Sequence, residues 1–485
     1  MTKKCELMQK CAIRIKTQEQ LGDINPNIYG HFTEHLGSCV YGGIWAVKGY
    51  PGDIRDGIRQ DSLSLIKALK PPIIRWPGGC FSEFYHWEDG VGPAETRPVT
   101  YDWMWEKPEP NKVGTHEFMD LCRLSGARPV LAANVRTGSP DEAAQWVAYC
   151  NQPSHTPEGQ RRALNGSPTP FSVRYWDIGN EGWDLTATEY ARRAVEYSKA
   201  MKAEDPSIRL IAVGGSGQDM AWNEEVLRVA GSAFDYIAPH HYTGLAARDE
   251  EDDSTFYNNT ACAHLIEETL QSTVALLDRL YPAGDGPSIA LDEWGVWWRN
   301  THGLRHNYDV SDAILAASVF CAMHRLPQRV QMANWAQLVN CLGIIQTDDI
   351  NACATPVYLV YKLLTHFQSR SVACTLEAPE IPVDPSLGIK TPVRLLDASA
   401  AASTDGKTLA LLIACRSRRD EVRLSLDIPG CRPSAARISW LQASGPFIQN
   451  TTAFPENCCI RTSPLDDPCN PILPPHTVAL IELES

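Results

Sequence analysis

The sequence predicts an α/β protein, a (β/α)8 TIM barrel carrying a C-terminal antiparallel β-sandwich, and three observations predict it. Between residues 27 and 337, eight short runs rich in β-branched and aromatic residues recur, each followed by a loop and a helical pattern. Most of these runs end in glycine or polar residues, as expected of strands whose C-termini open onto an active site. After about residue 368 the texture changes to short alternating strands separated by Asp-Gly, Pro-Gly and proline-rich pieces, which is the pattern of a sandwich.

In chain order the eight runs are NIYGHF (27–32), IIRWPGG (73–79), RPVLAAN (128–134), VRYWDIGNE (173–181), RLIAVGG (209–215), DYIAPHHY (235–242), SIALDEW (288–294) and RVQMANWAQ (329–337). Helical stretches such as SLSLIKALK and TEYARRAVEYSKAMKAE lie between them, and this alternation favours parallel strands with crossover helices. VRLLDASAAA, KTLALLIACRS, DEVRLSLDI, ARISWLQA and VALIELE alternate with period two and make the sandwich. CAIRIK near the start alternates likewise. The expected organisation is therefore a segment 1–19 contributing a strand to the sandwich, a catalytic barrel over 20–367 and a sandwich over 368–485. The acidic, aperiodic stretch ARDEEDDST (247–255) is expected to be a mobile loop.

Composition excludes several functions. A chain of 485 residues is too long for one core. Its formal charge of −14 and lack of any basic run argue against a nucleic-acid partner, because phosphate neutralisation needs a concentrated basic face. MTKKCELMQKCAIRIK has no apolar stretch of signal-peptide length and no segment is long and apolar enough for a membrane span, so the expectation is a cytoplasmic protein with no membrane partner. The sixteen cysteines are scattered with no C-x-x-C pair, which reads as reduced, mostly buried thiols rather than a zinc site.

Two carboxylates carry the chemistry: Glu181 in WDIGNEGW and Glu293 in ALDEWGVWW, at the ends of the fourth and seventh predicted strands. Glycoside cleavage needs such a pair, one protonated to serve the leaving oxygen and one ionised to attack. The flanking tryptophans suit the C–H faces of sugars. A competing reading starts from YGHFTEHLG, where His31, Glu34 and His35 spell H-x-x-E-H, a zinc-peptidase signature when carried on one helix. Pro26, Gly30 and Gly37 bracket that segment and its strand character opposes a helix, so no metal is expected. A third reading is a catalytically silent carbohydrate-binding protein.

IYGHFTEHLGSCVYGGIW (28–45), RWPGGCFSEFYHWEDGVGP (75–93), GNE (179–181), DEW-x-VW (292–297) and MANWAQLVN (332–340) together resemble the α-L-arabinofuranosidases of glycoside hydrolase family 51, over essentially the whole chain. The resemblance implies a retaining, exo-acting hydrolase without cofactor, with Glu181 as acid/base and Glu293 as nucleophile. It implies that Asn180 binds the sugar 2-hydroxyl, that Glu34 binds furanose hydroxyls, and that Arg75 and Tyr242 orient the nucleophile and favour its ionised form. Cys80, Trp297 and Gln337 would complete the pocket, and the protein would be a homo-oligomer acting on oligosaccharides. Gly295, Ala238-Pro239 and Asp177-Ile178 depart from the common pattern around the pocket. They leave a β-D-galactofuranoside or a β-1,4-glucan or xylan as alternative substrates.

Overall fold

The computed structural model describes residues 9–244, 251–297, 304–429 and 433–484. Eight parallel strands close into a barrel in chain order: Gly30–Phe32, Ile73–Trp76, Arg128–Ala133, Tyr175–Ile178, Arg209–Ser216, Tyr236–Thr243, Ser288–Val296 and Val330–Trp335. The eighth pairs with the first, Asn334 opposite Gly30 and Trp335 opposite His31. All eight predicted runs are present. They read as near-continuous apolar runs because a parallel barrel buries both faces of each strand.

The predicted edges shift where turn chemistry competes. NIYGHF begins not as strand but as a 3-10 turn, Pro26–Tyr29, capped by the Asn25 side chain, which accepts from the Asn27 N–H. The fourth strand stops at Ile178, since Gly179 at φ +82° turns the chain in the left-handed region. Of the stretch 247–255 expected to be a loop, residues 247–250 lie outside the described residues, while Asp253–Ala261 is a helix capped by Asp252, which accepts from the Thr255 N–H.

Eight C-terminal strands and the N-terminal strand Gln9–Asp23 form one nine-stranded ladder that packs as the sandwich. Gln9–Asp23 is third from one edge, antiparallel to Arg370–Glu377 on one side and parallel to Val422–Asp427 on the other. Arg370–Glu377 and Cys459–Pro464 are strands that the sequence pattern did not single out. Along Thr408–Cys415, Leu409, Leu411 and Ile413 enter the sandwich's own core, while Ala410, Leu412 and Ala414 join the core of the barrel. That second face meets the barrel helix Val310–Arg325, fifteen of whose sixteen residues are buried. A helix buried all round must be covered on both sides. Here the cover is barrel on one side and sheet on the other. Arg416 crosses this seam fully buried, donating to the Ser318 hydroxyl at 2.7 Å and the Thr260 carbonyl.

Candidate active site

The C-terminal ends of the barrel strands bring Glu181 and Glu293 to one point. Glu293 lies in register with His240 across the sixth and seventh strands, and the register slips there by one residue, as it does between the fifth and sixth. Such slips re-aim side chains. His240 Nδ1 consequently lies 2.9 Å from Glu181 Oε1 and 3.3 Å from Glu293 Oε2, with Nε2 3.0 Å from Asp292. One oxygen of Glu181 and one of Glu293 are within 4.8 Å of each other. The Glu181 side chain keeps 22% of its surface open, against 7% for Glu293.

Each expected site residue is found around this pair. The Tyr242 hydroxyl donates to Glu293 Oε1 at 2.6 Å, and Arg75 Nη1 donates to its other oxygen at 3.3 Å. Arg75 Nη2 donates to Asn180 Oδ1 at 2.9 Å, so one guanidinium ties the nucleophile candidate to the amide beside Glu181. Glu34 accepts from the Phe81 N–H, from Gln337 Nε2 and from Trp105 Nε1. The Cys80 thiol is 3.7 Å from Glu181 Oε2, and Trp297 packs edge-on against Tyr242 while remaining 39% exposed. Glu34, Cys80, Glu181, Tyr242, Glu293, Trp297 and Gln337 share one cavity of about 720 Å³.

Arg75 and Tyr242 favour the ionised form of Glu293, yet its carboxyl is pushed above the ordinary range. Full burial is the largest cause and the charge of Glu181 adds to it, outweighing His240, Arg75 and Tyr242. Burial likewise pushes Glu34 up to about 7, with the Glu293 charge adding to it. Burial alone would strip the proton from His240, but Glu293, Asp292 and Glu181 reverse this and hold it well above the ordinary histidine range. His240 is thus a buried cation between acids.

The H-x-x-E-H residues do not converge. His35 contacts Glu109 through Nδ1 and accepts from Trp76 through Nε2, and His31 packs at a tilt against Tyr361 with burial taking it down to about 3. They lie on strand and loop, not helix. Sequence reasoning gave no role to His240, Trp105 or Asp177; an alternation argument on strand six, setting His240 and Tyr242 on one face, would have found the first. Among the departures, Gly295 stands where a Cβ would come within 3.2 Å of the Ala336 carbonyl oxygen. Pro239 lies beside Gly214, where any Cβ would come within 2.6 Å of the Pro239 nitrogen.

The comparisons with known proteins agree with this geometry. The family model described as "Alpha-L-arabinofuranosidase 1 domain" matches residues 65–260, and that described as "Alpha-L-arabinofuranosidase C-terminal domain" matches residues 292–473. The "Intracellular exo-alpha-L-arabinofuranosidase" of Bacteroides ovatus is 33% identical over 426 residues, 82% of this chain and 80% of that one. The "Intracellular exo-alpha-(1->5)-L-arabinofuranosidase 1" of Bacillus subtilis is 32% identical over 87% of this chain and 88% of its own. Among solved structures, the α-L-arabinofuranosidase of Thermotoga maritima in complex with arabinose superposes with a TM-score of 0.89 at 35% identity, covering 98% of this chain and all of that one.

Proposed function

The chain belongs to the α-L-arabinofuranosidases of glycoside hydrolase family 51, and from that premise we propose that it releases L-arabinofuranose from the non-reducing ends of α-L-arabinofuranosides, in arabinan or arabinoxylan oligosaccharides, with retention of configuration. The observation that carries the reading is the closeness of the two carboxylates around His240. Their nearest oxygens lie within 4.8 Å, in line with the carboxyl separation of about 5–5.5 Å that double displacement uses and short of the about 6.5–9.5 Å of inverting pairs.

Glu293 attacks the anomeric carbon while Glu181, the more open of the two, gives its proton to the leaving oxygen. The bond to the aglycone breaks and an ester to Glu293 forms. Glu181 then takes a proton from water, which attacks the same carbon and frees Glu293. Arg75, Tyr242 and His240 face the Glu293 oxygens and stabilise the carboxylate that leaves in the second step. Asn180 and Glu34 bind ring hydroxyls, Cys80 and Gln337 form the pocket floor, and Trp297 at the rim offers an indole face to the next sugar.

Two relatives named as intracellular support placing the enzyme inside the cell, where it would trim imported oligosaccharides. A homo-oligomer belongs to the same proposal and is tested by sedimentation velocity. The function is tested with aryl glycosides of α-L-arabinofuranose, β-D-galactofuranose, β-D-xylose and β-D-glucose. Cleavage of the arabinofuranoside is expected; turnover of pyranosides alone would defeat the substrate assignment.

A further inference from the structure

The side chain of Asp177, two residues before Gly179, lies directly on Arg75. Its Oδ2 accepts from Arg75 Nε in a very short contact, with Asp292 3.5 Å from the same nitrogen. Nη1 and Nη2 of that guanidinium go to Glu293 and Asn180, and its plane lies 4.9 Å from the Phe32 ring centre. All edges of the fork are therefore engaged, and a planar fork cannot turn one edge without turning the others. Asp177 is 2% exposed, and its Oδ1 has no hydrogen-bond partner. A buried carboxylate with an orphan oxygen is a costly way to fill space, so packing alone does not account for it.

We propose that Asp177 is a positioning residue for the nucleophile: it fixes the Arg75 guanidinium so that one edge faces Glu293 and another faces Asn180, and its charge competes with Glu293 for that one cation. This inference rests on the glycosidase reading above. The groups facing Asp177 are Arg75 from the second strand, His240 from the sixth, Asp292 from the seventh, and Tyr190 from the helix Ala187–Glu204, with Glu83 beyond it; Glu293 lies across the shared Arg75. Three carboxylates thus share Arg75. Burial pushes Asp177 up and Asp292 adds to this against the pull of Arg75, whereas for Asp292 burial is more than offset by Arg75 and His240. The cluster holds more acid than base. Any charge on Asp177 therefore raises the cost of ionising Glu293.

The test is kcat and KM as functions of pH for 4-nitrophenyl α-L-arabinofuranoside, with wild type, Asp177→Asn and Asp177→Ala, each checked by thermal melting. Asn keeps the shape and an acceptor but removes the charge. The acid limb of kcat/KM should then move to lower pH by ~1 unit, the size of one like charge removed at this range. Asp177→Ala should show the same shift and lose kcat about tenfold or more with KM changed less than about threefold, because Nε is released. A side chain that only fills space would move neither limb. An acid limb unmoved in Asp177→Asn, with wild type active, overturns the inference and leaves the function standing; a wild type inactive on the furanoside overturns the function itself.

Discussion

Replacing Tyr242 by Phe removes one hydroxyl and leaves the ring that packs against Trp297 in place. That hydroxyl donates at 2.6 Å to Glu293 Oε1, a carboxylate with only 7% of its side chain open. A hydrogen bond to a charged group contributes about 1.5–3 kcal/mol, and one to the neutral acid about 0.5–1.5 kcal/mol. The difference, about 1–1.5 kcal/mol, is the preference for the ionised form that Tyr242→Phe forfeits. At 1.36 kcal/mol per unit this raises the pH at which Glu293 ionises by about 1 unit. Glu293 already titrates above the usual carboxylate value of 4.5, so catalysis should be lost earlier as pH falls. The sign follows directly: the nucleophile works ionised, and a raised value narrows the working range from the acid side. Profiles of kcat/KM with an activated aryl arabinofuranoside should show the acid limb displaced upward and the plateau lowered modestly, with the melting temperature lowered by a few degrees and the protein folded at the assay temperature. An acid limb that stays in place would refute the assignment of Tyr242 as the stabiliser of the Glu293 charge.

Glu293→Ala is expected to abolish turnover of every substrate, and azide should not restore a product of retained configuration. Glu181→Ala should cripple substrates with poor leaving groups but spare the first step for activated aryl glycosides, with azide giving a glycosyl azide of retained configuration; proton NMR reads both outcomes. The first-formed sugar of the wild type should show retention, and an inverted one would exclude double displacement. On the stability side, Leu412→Ala empties a fully buried site between the sheet and the helix Val310–Arg325 and should cost about 2–5 kcal/mol in urea unfolding, with kcat intact below the transition.

The barrel was legible because runs such as VLAA and LIAV are apolar on both faces and such runs recur along the chain. Glu181 and Glu293 were legible because a carboxylate just past a strand end, beside tryptophan, has few other uses. What the sequence could not convey was burial and register. His240 becomes a cation only because the slipped pairing of the sixth and seventh strands sets it among three acids. The upward push on Glu293 was hidden for the same reason: its partners Arg75 and Tyr242 were visible, while its burial was not. Trp105 reaches Glu34 from the tip of a short hairpin, Thr100–Asp102 with Lys107–Glu109, whose strands of three residues are too brief to show a period. Cys459–Pro464 escaped notice because its residues are mostly half-buried or exposed.

The strand Gln9–Asp23 leaves the ribosome about 350 residues ahead of the first of its neighbours in the sheet, Arg370–Glu377 and Val422–Asp427. At about 5–20 residues per second, roughly twenty to seventy seconds of translation separate the two. For that interval Cys11, Ile13 and Ile15 form an unpaired apolar ribbon of the kind that recruits neighbouring chains. The alternate positions, Lys10, Arg14 and Lys16, are exposed in the finished fold and carry positive charge. Their repulsion keeps two such nascent ribbons apart while the barrel is being built between them and their partners, so neutralising these three residues should lower the soluble yield of newly made protein while leaving the purified enzyme's turnover unchanged.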